Sequence, residues 1–153
     1  MLLFIFPFFI VSRQRVIKMK LKTSLEFDSA HRLVGYSGKC SNLHGHIWHV
    51  DIEVDGCYED VDSVGILWDF TNVKKIKDMF DHKTILKECD ENVELIEAIR
   101  NSCGEDSLYL MNDNPTAENL CSEILKICKD LGFDLDFNIK VWESPKSYAE
   151  IEG

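Results

Sequence analysis

Apolar and polar side chains alternate from Lys20 to Ala30. Leu21, Thr23, Leu25 and Phe27 fall on one side of the period, and Lys22, Ser24 and Glu26 on the other. A period of two predicts a β-strand, and His31 stands at its end. A second strand is predicted over His46 to Tyr58, where Val50, Ile52 and Val54 alternate with Asp51, Glu53 and Asp55. The intervening Gly35-Tyr36-Ser37-Gly38 is a turn signal, so the two strands are expected to pair antiparallel across residues 32–43. The period becomes helical at Asp69-Phe70-Thr71. Thr71 is the predicted N-cap, and Phe70, Val73, Ile76 and Phe80 keep helical spacing up to Asp81-His82. Residues 87–112 form an irregular stretch with a short helix at Val93 to Ile99. Asn114-Pro115-Thr116 opens a second long helix with the stripe Leu120, Ile124, Ile127, Cys128 and Leu131, ended by Gly132. Phe133 to Glu143 is a third strand, turned by Ser144-Pro145-Lys146 into a last strand, Ser147 to Glu152. This order predicts an α+β domain, with the helices on one face of an antiparallel sheet.

Composition narrows the function. A chain of 153 residues with 45% hydrophobic and 29% charged residues suits one domain with a core. A net charge of −10 argues against nucleic acid as a partner. It leaves room for a small anionic substrate at a local basic patch. The six cysteines form no CxxC pair, which excludes a zinc ribbon or a thioredoxin motif. Most of them are expected to be small core residues of a cytoplasmic protein. The run Met1 to Val11 is almost wholly apolar but holds Pro7, and it is far short of the roughly 20 residues that span a bilayer. Its positive charges follow it, unlike those of a signal peptide. Residues 1–18 are therefore taken as an appended or mis-started extension, with the domain at 19–153 and no membrane partner.

The chemistry centres on Cys40-Ser41-Asn42-Leu43-His44-Gly45-His46. On an extended backbone His44 and His46 share a face, with Cα atoms about 6.5 Å apart. Strand pairing would bring His31 beside them, and three histidines with an open fourth position is a catalytic zinc pattern. Cys40 is offset from that set. A thiol beside a metal suits acid–base or nucleophilic work. His49 falls at odd spacing and is read as structural. Asp81-His82 pairs a carboxylate with an imidazole, but the two can meet only if the backbone is irregular there. Glu143, at a strand end, is either a solvated edge carboxylate or an anchor that accepts two parallel N–H bonds from an aminopyrimidinone. Glu118, in the first turn of a helix, is already favoured there by the helix dipole.

Taken together, Phe27-Asp28-Ser29-Ala30-His31, Cys40-x-x-x-His44-Gly45-His46, Asp69-Phe70, Asp81-His82, Asn114-Pro115-Thr116-Ala117-Glu118-Asn119 and Glu143-Ser144-Pro145 with Tyr148 resemble the 6-pyruvoyl- and 6-carboxy-tetrahydropterin synthase superfamily. The motifs cover roughly residues 20–152 in the superfamily's order. The resemblance implies a tunnelling fold, in which a four-stranded antiparallel sheet with two long helices on one face assembles into barrels, usually trimers stacked as hexamers. It implies zinc on His31, His44 and His46, and Cys40 as catalytic base with Asp81 and His82 as its partner dyad. Glu143 would anchor the pterin, and Thr116 and Glu118 would lie at the substrate. One departure is that Asp81-His82-Lys83-Thr84-Ile85-Leu86 lacks the Asn that often closes this segment.

Within the superfamily, the CxxxHGH spacing resembles the carboxy-forming branch. That branch converts 7,8-dihydroneopterin triphosphate to 6-carboxy-5,6,7,8-tetrahydropterin, acetaldehyde and triphosphate for queuosine and other 7-deazapurines. In the pyruvoyl-forming branch the cysteine lies further upstream. A third branch, a dihydroneopterin aldolase, has glutamate in place of Cys40. The alternatives are the pyruvoyl-forming lyase at the same site and, from another class, a non-catalytic zinc- or pterin-binding oligomer.

Overall fold

The computed structural model describes residues 16–132 and 135–153. The strands are β1 (Lys18–His31), β2 (His44–Cys57), β3 (Lys83–Lys87), β4 (Leu108–Met111), β5 (Asp136–Ser144) and β6 (Ser147–Glu152). The helices are α1 (Thr71–Phe80), α2 (Val93–Cys103) and α3 (Ala117–Leu131). The expected extension over residues 1–18 falls largely outside the described residues, as do Phe133 and Asp134 of the predicted third strand. Among the described residues no helix is long and apolar enough to cross a membrane.

The alternation of β1 and β2 is what pairs them. Their antiparallel register runs from Lys18 opposite Cys57 to His31 opposite His44. On one face Leu25, Phe27, Trp48, Val50, Ile52 and Val54 are buried. On the other, Lys20 and Lys22 meet Glu53 in ion pairs that the solvent screens. β5 adds to β2 and β6 to β5, both antiparallel. Ile76 and Phe80 of α1, with Leu120, Cys121, Ile124 and Cys128 of α3, close the apolar face into one core. Each large side chain buried there contributes about 1.5–3 kcal/mol.

Three expectations are corrected. The sheet has six strands in the order β4-β3-β1-β2-β5-β6, not four, because the segments 83–87 and 108–111 are strands. It is mixed, since β3 lies parallel to both β1 and β4. Parallel neighbours need a crossover, and α2 supplies it between β3 and β4. Ile85 faces the main core, whereas its neighbour Leu86 packs with Ile96 of α2 and Leu108 in a second cluster. Successive strand residues point to opposite faces, so α2 covers the face opposite α1 and α3. The third correction concerns the start of α1. Asp69 Oδ1 accepts the Thr71 backbone N–H at 2.8 Å, and Thr71 is already the first helical residue rather than the cap. That bond holds the Asp69 carboxyl below its ordinary range. At α3 the expected boundary stands: the Thr116 hydroxyl accepts the Asn119 N–H at 3.3 Å.

Candidate active site

The β1–β2 register places His31 directly opposite His44, with His46 two residues further along the same face. The ring centroids are 4.5 Å apart for His31–His44, 5.1 Å for His31–His46 and 5.0 Å for His44–His46. One ligand nitrogen from each ring lies within 4.8 Å of the others. Among the described residues this is the only such group of three, and Cys40 is not in it.

Backbone carbonyls set the tautomers of two rings. His31 Nδ1–H donates to the Pro115 carbonyl oxygen at 2.7 Å, and His44 Nδ1–H to that of Asn42 at 2.8 Å. A carbonyl only accepts, so each Nδ1 carries the proton and each Nε2 keeps its lone pair. His31 Nε2 and His46 Nε2 are buried without a hydrogen-bond partner. Such orphaned acceptors are costly unless a ligand takes them up. Burial pulls His31 down to about 4. The Pro115 carbonyl opposes this shift, while the two neighbouring imidazoles add to it. His46 is lowered as well, chiefly by burial, against the pull of Glu143. Neutral imidazoles with converging lone pairs are what a divalent metal such as zinc requires, so the residues present fit the ion.

Glu143, near the end of β5, sends Oε1 to 3.7 Å from His46 Nε2 and 3.9 Å from His31 Nε2. With His31 neutral, the second contact is no ion pair. Trp48 floors the cluster, its ring edge-on to His31 and His46 with centroids 5.1 and 5.4 Å away. Cys40 lies in a short 3-10 turn, Lys39–Ser41, just before β2. Its carbonyl accepts the Leu33 N–H at 2.9 Å, which folds the connecting loop back on itself.

Asp81 and His82 follow α1. His82 has φ 59°, the left-handed region, and this turns its Nδ1 to 3.2 Å from Asp81 Oδ1. Adjacent side chains therefore meet through an irregular backbone, as the pair required. Asp81 Oδ1 also accepts the Asp28 backbone N–H at 3.0 Å. That bond leads the causes holding the Asp81 carboxyl low, with Lys77 and His82 assisting. The His82 side chain is 80% exposed. It borders a cleft of about 450 Å³ that His46 also lines. Thr116 caps α3, and Glu118 is exposed in its first turn. His49 faces the other side of the sheet, between Glu26 and Asp51.

Two supporting residues gave no sign of their role at the cluster. Pro115 orients His31 through its carbonyl, which any residue type carries. Asn114 accepts the Val34 N–H at 2.8 Å and donates to the Val34 carbonyl at 2.9 Å, tying that segment to the loop after β1. In the sequence Asn114 and Pro115 stand out as a helix start and as part of a motif that carries the resemblance, neither of which points to these contacts.

A mixed α+β sheet carrying a three-histidine cluster at one end defines the class to which known proteins can be compared. The family model described as 6-pyruvoyl tetrahydropterin synthase matches residues 20–153. The 6-carboxy-5,6,7,8-tetrahydropterin synthase of Rickettsia felis is 32% identical over 142 residues, 87% of this chain and 99% of the relative. The enzyme of that name from Haemophilus influenzae is 29% identical, over 87% of this chain and 98% of the relative. Among solved structures, Plasmodium falciparum 6-pyruvoyl tetrahydropterin synthase superposes with a TM-score of 0.64 at 19% identity, covering 90% of this chain and 98% of that one. The Caenorhabditis elegans enzyme gives 0.60 at 22%, covering 92% and 99%. This chain belongs to the 6-pyruvoyl tetrahydropterin synthase family.

Proposed function

We propose that the protein is a zinc-dependent 6-carboxy-5,6,7,8-tetrahydropterin synthase. It would convert 7,8-dihydroneopterin triphosphate, with uptake of water, to 6-carboxy-tetrahydropterin, acetaldehyde and triphosphate in the route to queuosine. The observation that carries this reading is the convergence of His31, His44 and His46, with Glu143 beside them. The spacing from Cys40 to His44 and the curated relatives' names favour the carboxy product. The working form is a cytoplasmic homo-oligomer built on trimers.

His31, His44 and His46 would hold the ion through their free nitrogens. Zinc bound there supplies Lewis acidity to oxygens of the substrate side chain. Glu143 accepts the N–H groups of the pterin edge and fixes the ring relative to the cluster. Thr116 and Glu118 border the substrate at the start of α3. Cys40 Sγ takes a proton from the substrate side chain and returns it. His82 makes the complementary transfers at Nε2, because Nδ1–H is held by Asp81 Oδ1. Asp81 keeps its charge through the Asp28 N–H and so supports the imidazolium that forms.

The test is incubation of the zinc-loaded protein with 7,8-dihydroneopterin triphosphate, followed by mass analysis. Acetaldehyde with 6-carboxy-tetrahydropterin is expected. A pyruvoyl product without acetaldehyde would assign the other lyase activity. No triphosphate release at all would leave a non-catalytic pterin-binding protein.

A further inference from the structure

We infer that Lys83, the first residue of β3, is the residue that receives the triphosphate of the substrate and sets the preference for a phosphorylated pterin. The inference rests on the pterin reading above. It begins with register. His46 pairs with Ser29 across β2 and β1, and Ser29 pairs with Lys83 across β1 and β3. Paired residues share a face, and His31, two residues beyond Ser29, shares it too. His46, Ser29 and Lys83 therefore form a row across three strands on the face that carries the histidine cluster. Neighbouring strands are about 4.8 Å apart, which puts the Lys83 and His46 Cα atoms roughly 10 Å apart. A flexible lysine stem covers much of that span.

The row borders open space. The cleft of about 450 Å³ is lined by Ser29, His46, His82, Lys83 and Thr84 among others. Ser29 is only 6% exposed, and its hydroxyl has no hydrogen-bond partner. A buried polar atom of this kind carries a cost that a ligand oxygen can remove.

Charge points the same way. Lys20 and Lys22 pair with Glu53, and Lys140 with Glu150, on the opposite face of the sheet. Lys83 is half-buried and, among the described residues, has no such ion pair. In a chain of net charge −10, an ammonium without an ion pair, in a cleft that His46 lines together with the Asp28 carboxylate, suits an anion. Lysine serves polyphosphates as a mobile point charge, tolerant of several oxygen positions.

The experiment compares two fluorescent, non-reacting probes on the zinc-loaded protein, neopterin and neopterin triphosphate, in equilibrium titrations. The wild type is expected to bind the triphosphate at least about tenfold tighter. Lys83→Ala should abolish most of that preference while leaving neopterin affinity and zinc content unchanged. Lys83→Arg should retain it, and Lys126→Ala, on an exposed position of α3, should not alter it. An unchanged preference in Lys83→Ala, or no preference in the wild type, would overturn the assignment. Because the readout needs no turnover, a preserved preference without product formation would count against the reaction, not against Lys83.

Discussion

His31 Nδ1 donates to the carbonyl oxygen of Pro115 at 2.7 Å, joining the end of β1 to the residue two before α3. This bond fixes which nitrogen of the buried ring faces the cluster. Asn114, through its two bonds to Val34, holds that carbonyl in place. Asn114→Ala removes both bonds and should cost about 1–3 kcal/mol. Losing an outer partner of a metal-ligating histidine should also weaken zinc affinity about 10–100-fold. Chelator competition on the folded variant measures the second effect apart from the first.

The pH dependence of the metal-free protein follows from the same ring. The folded His31 titrates at about 4, against roughly 6.5 for an unfolded histidine. Between these values the unfolded chain binds more protons, so stability falls as pH drops from about 6.5 to 4. The loss from His31 is on the order of 3 kcal/mol, and His46, shifted in the same direction, adds to it. Urea melts across pH 4 to 7 should show this slope. Zinc should steepen it, because protons compete with the metal. A flat profile would contradict a buried His31 whose charged form is disfavoured.

His82 separates fold from chemistry. Its φ of 59° costs an L-residue roughly 1–2 kcal/mol, and glycine adopts it freely. His82→Gly is expected to keep or slightly raise the melting temperature while removing most turnover, typically by a factor of about 10²–10⁴ for a lost acid–base group. His82→Val, β-branched in the same backbone, should lower both. Thermal melts and product release, read together, distinguish the two variants.

Cys40→Ala should bind zinc and neopterin as the wild type does, since Cys40 stands outside the three-histidine group, and should lose turnover. Retained turnover would remove Cys40 from the proposed mechanism.

The four strands that alternate cleanly were legible in the sequence because each has one apolar and one polar face. α3 was legible because its stripe and its Thr116 cap lie close together in the chain. β3 and β4 were not. Lys83–Lys87 and Leu108–Met111 are short, and β3 is covered on both faces, with Ile85 and Leu86 both fully buried. A strand buried on both sides loses its alternation. Its parallel partners lie far off in the chain, so no turn signal marks them. Asp69 accepts the Thr71 N–H at the start of α1, and Thr71, an equally good capping residue type, lies inside the helix.

From the sequence alone the three histidines are expected on one face, because an HxH on a strand and a histidine closing the paired strand converge through a period of two. The sequence also places Cys40 outside that set. Tertiary structure decided what local pattern cannot reach. It chose the carbonyls that set the tautomers of His31 and His44, and it set the left-handed turn that brings His82 onto Asp81. It also laid β3 beside β1, putting Lys83 in the row of His46. These depend on groups every residue carries, or on pairings between distant segments, and such contacts form only when the whole chain packs.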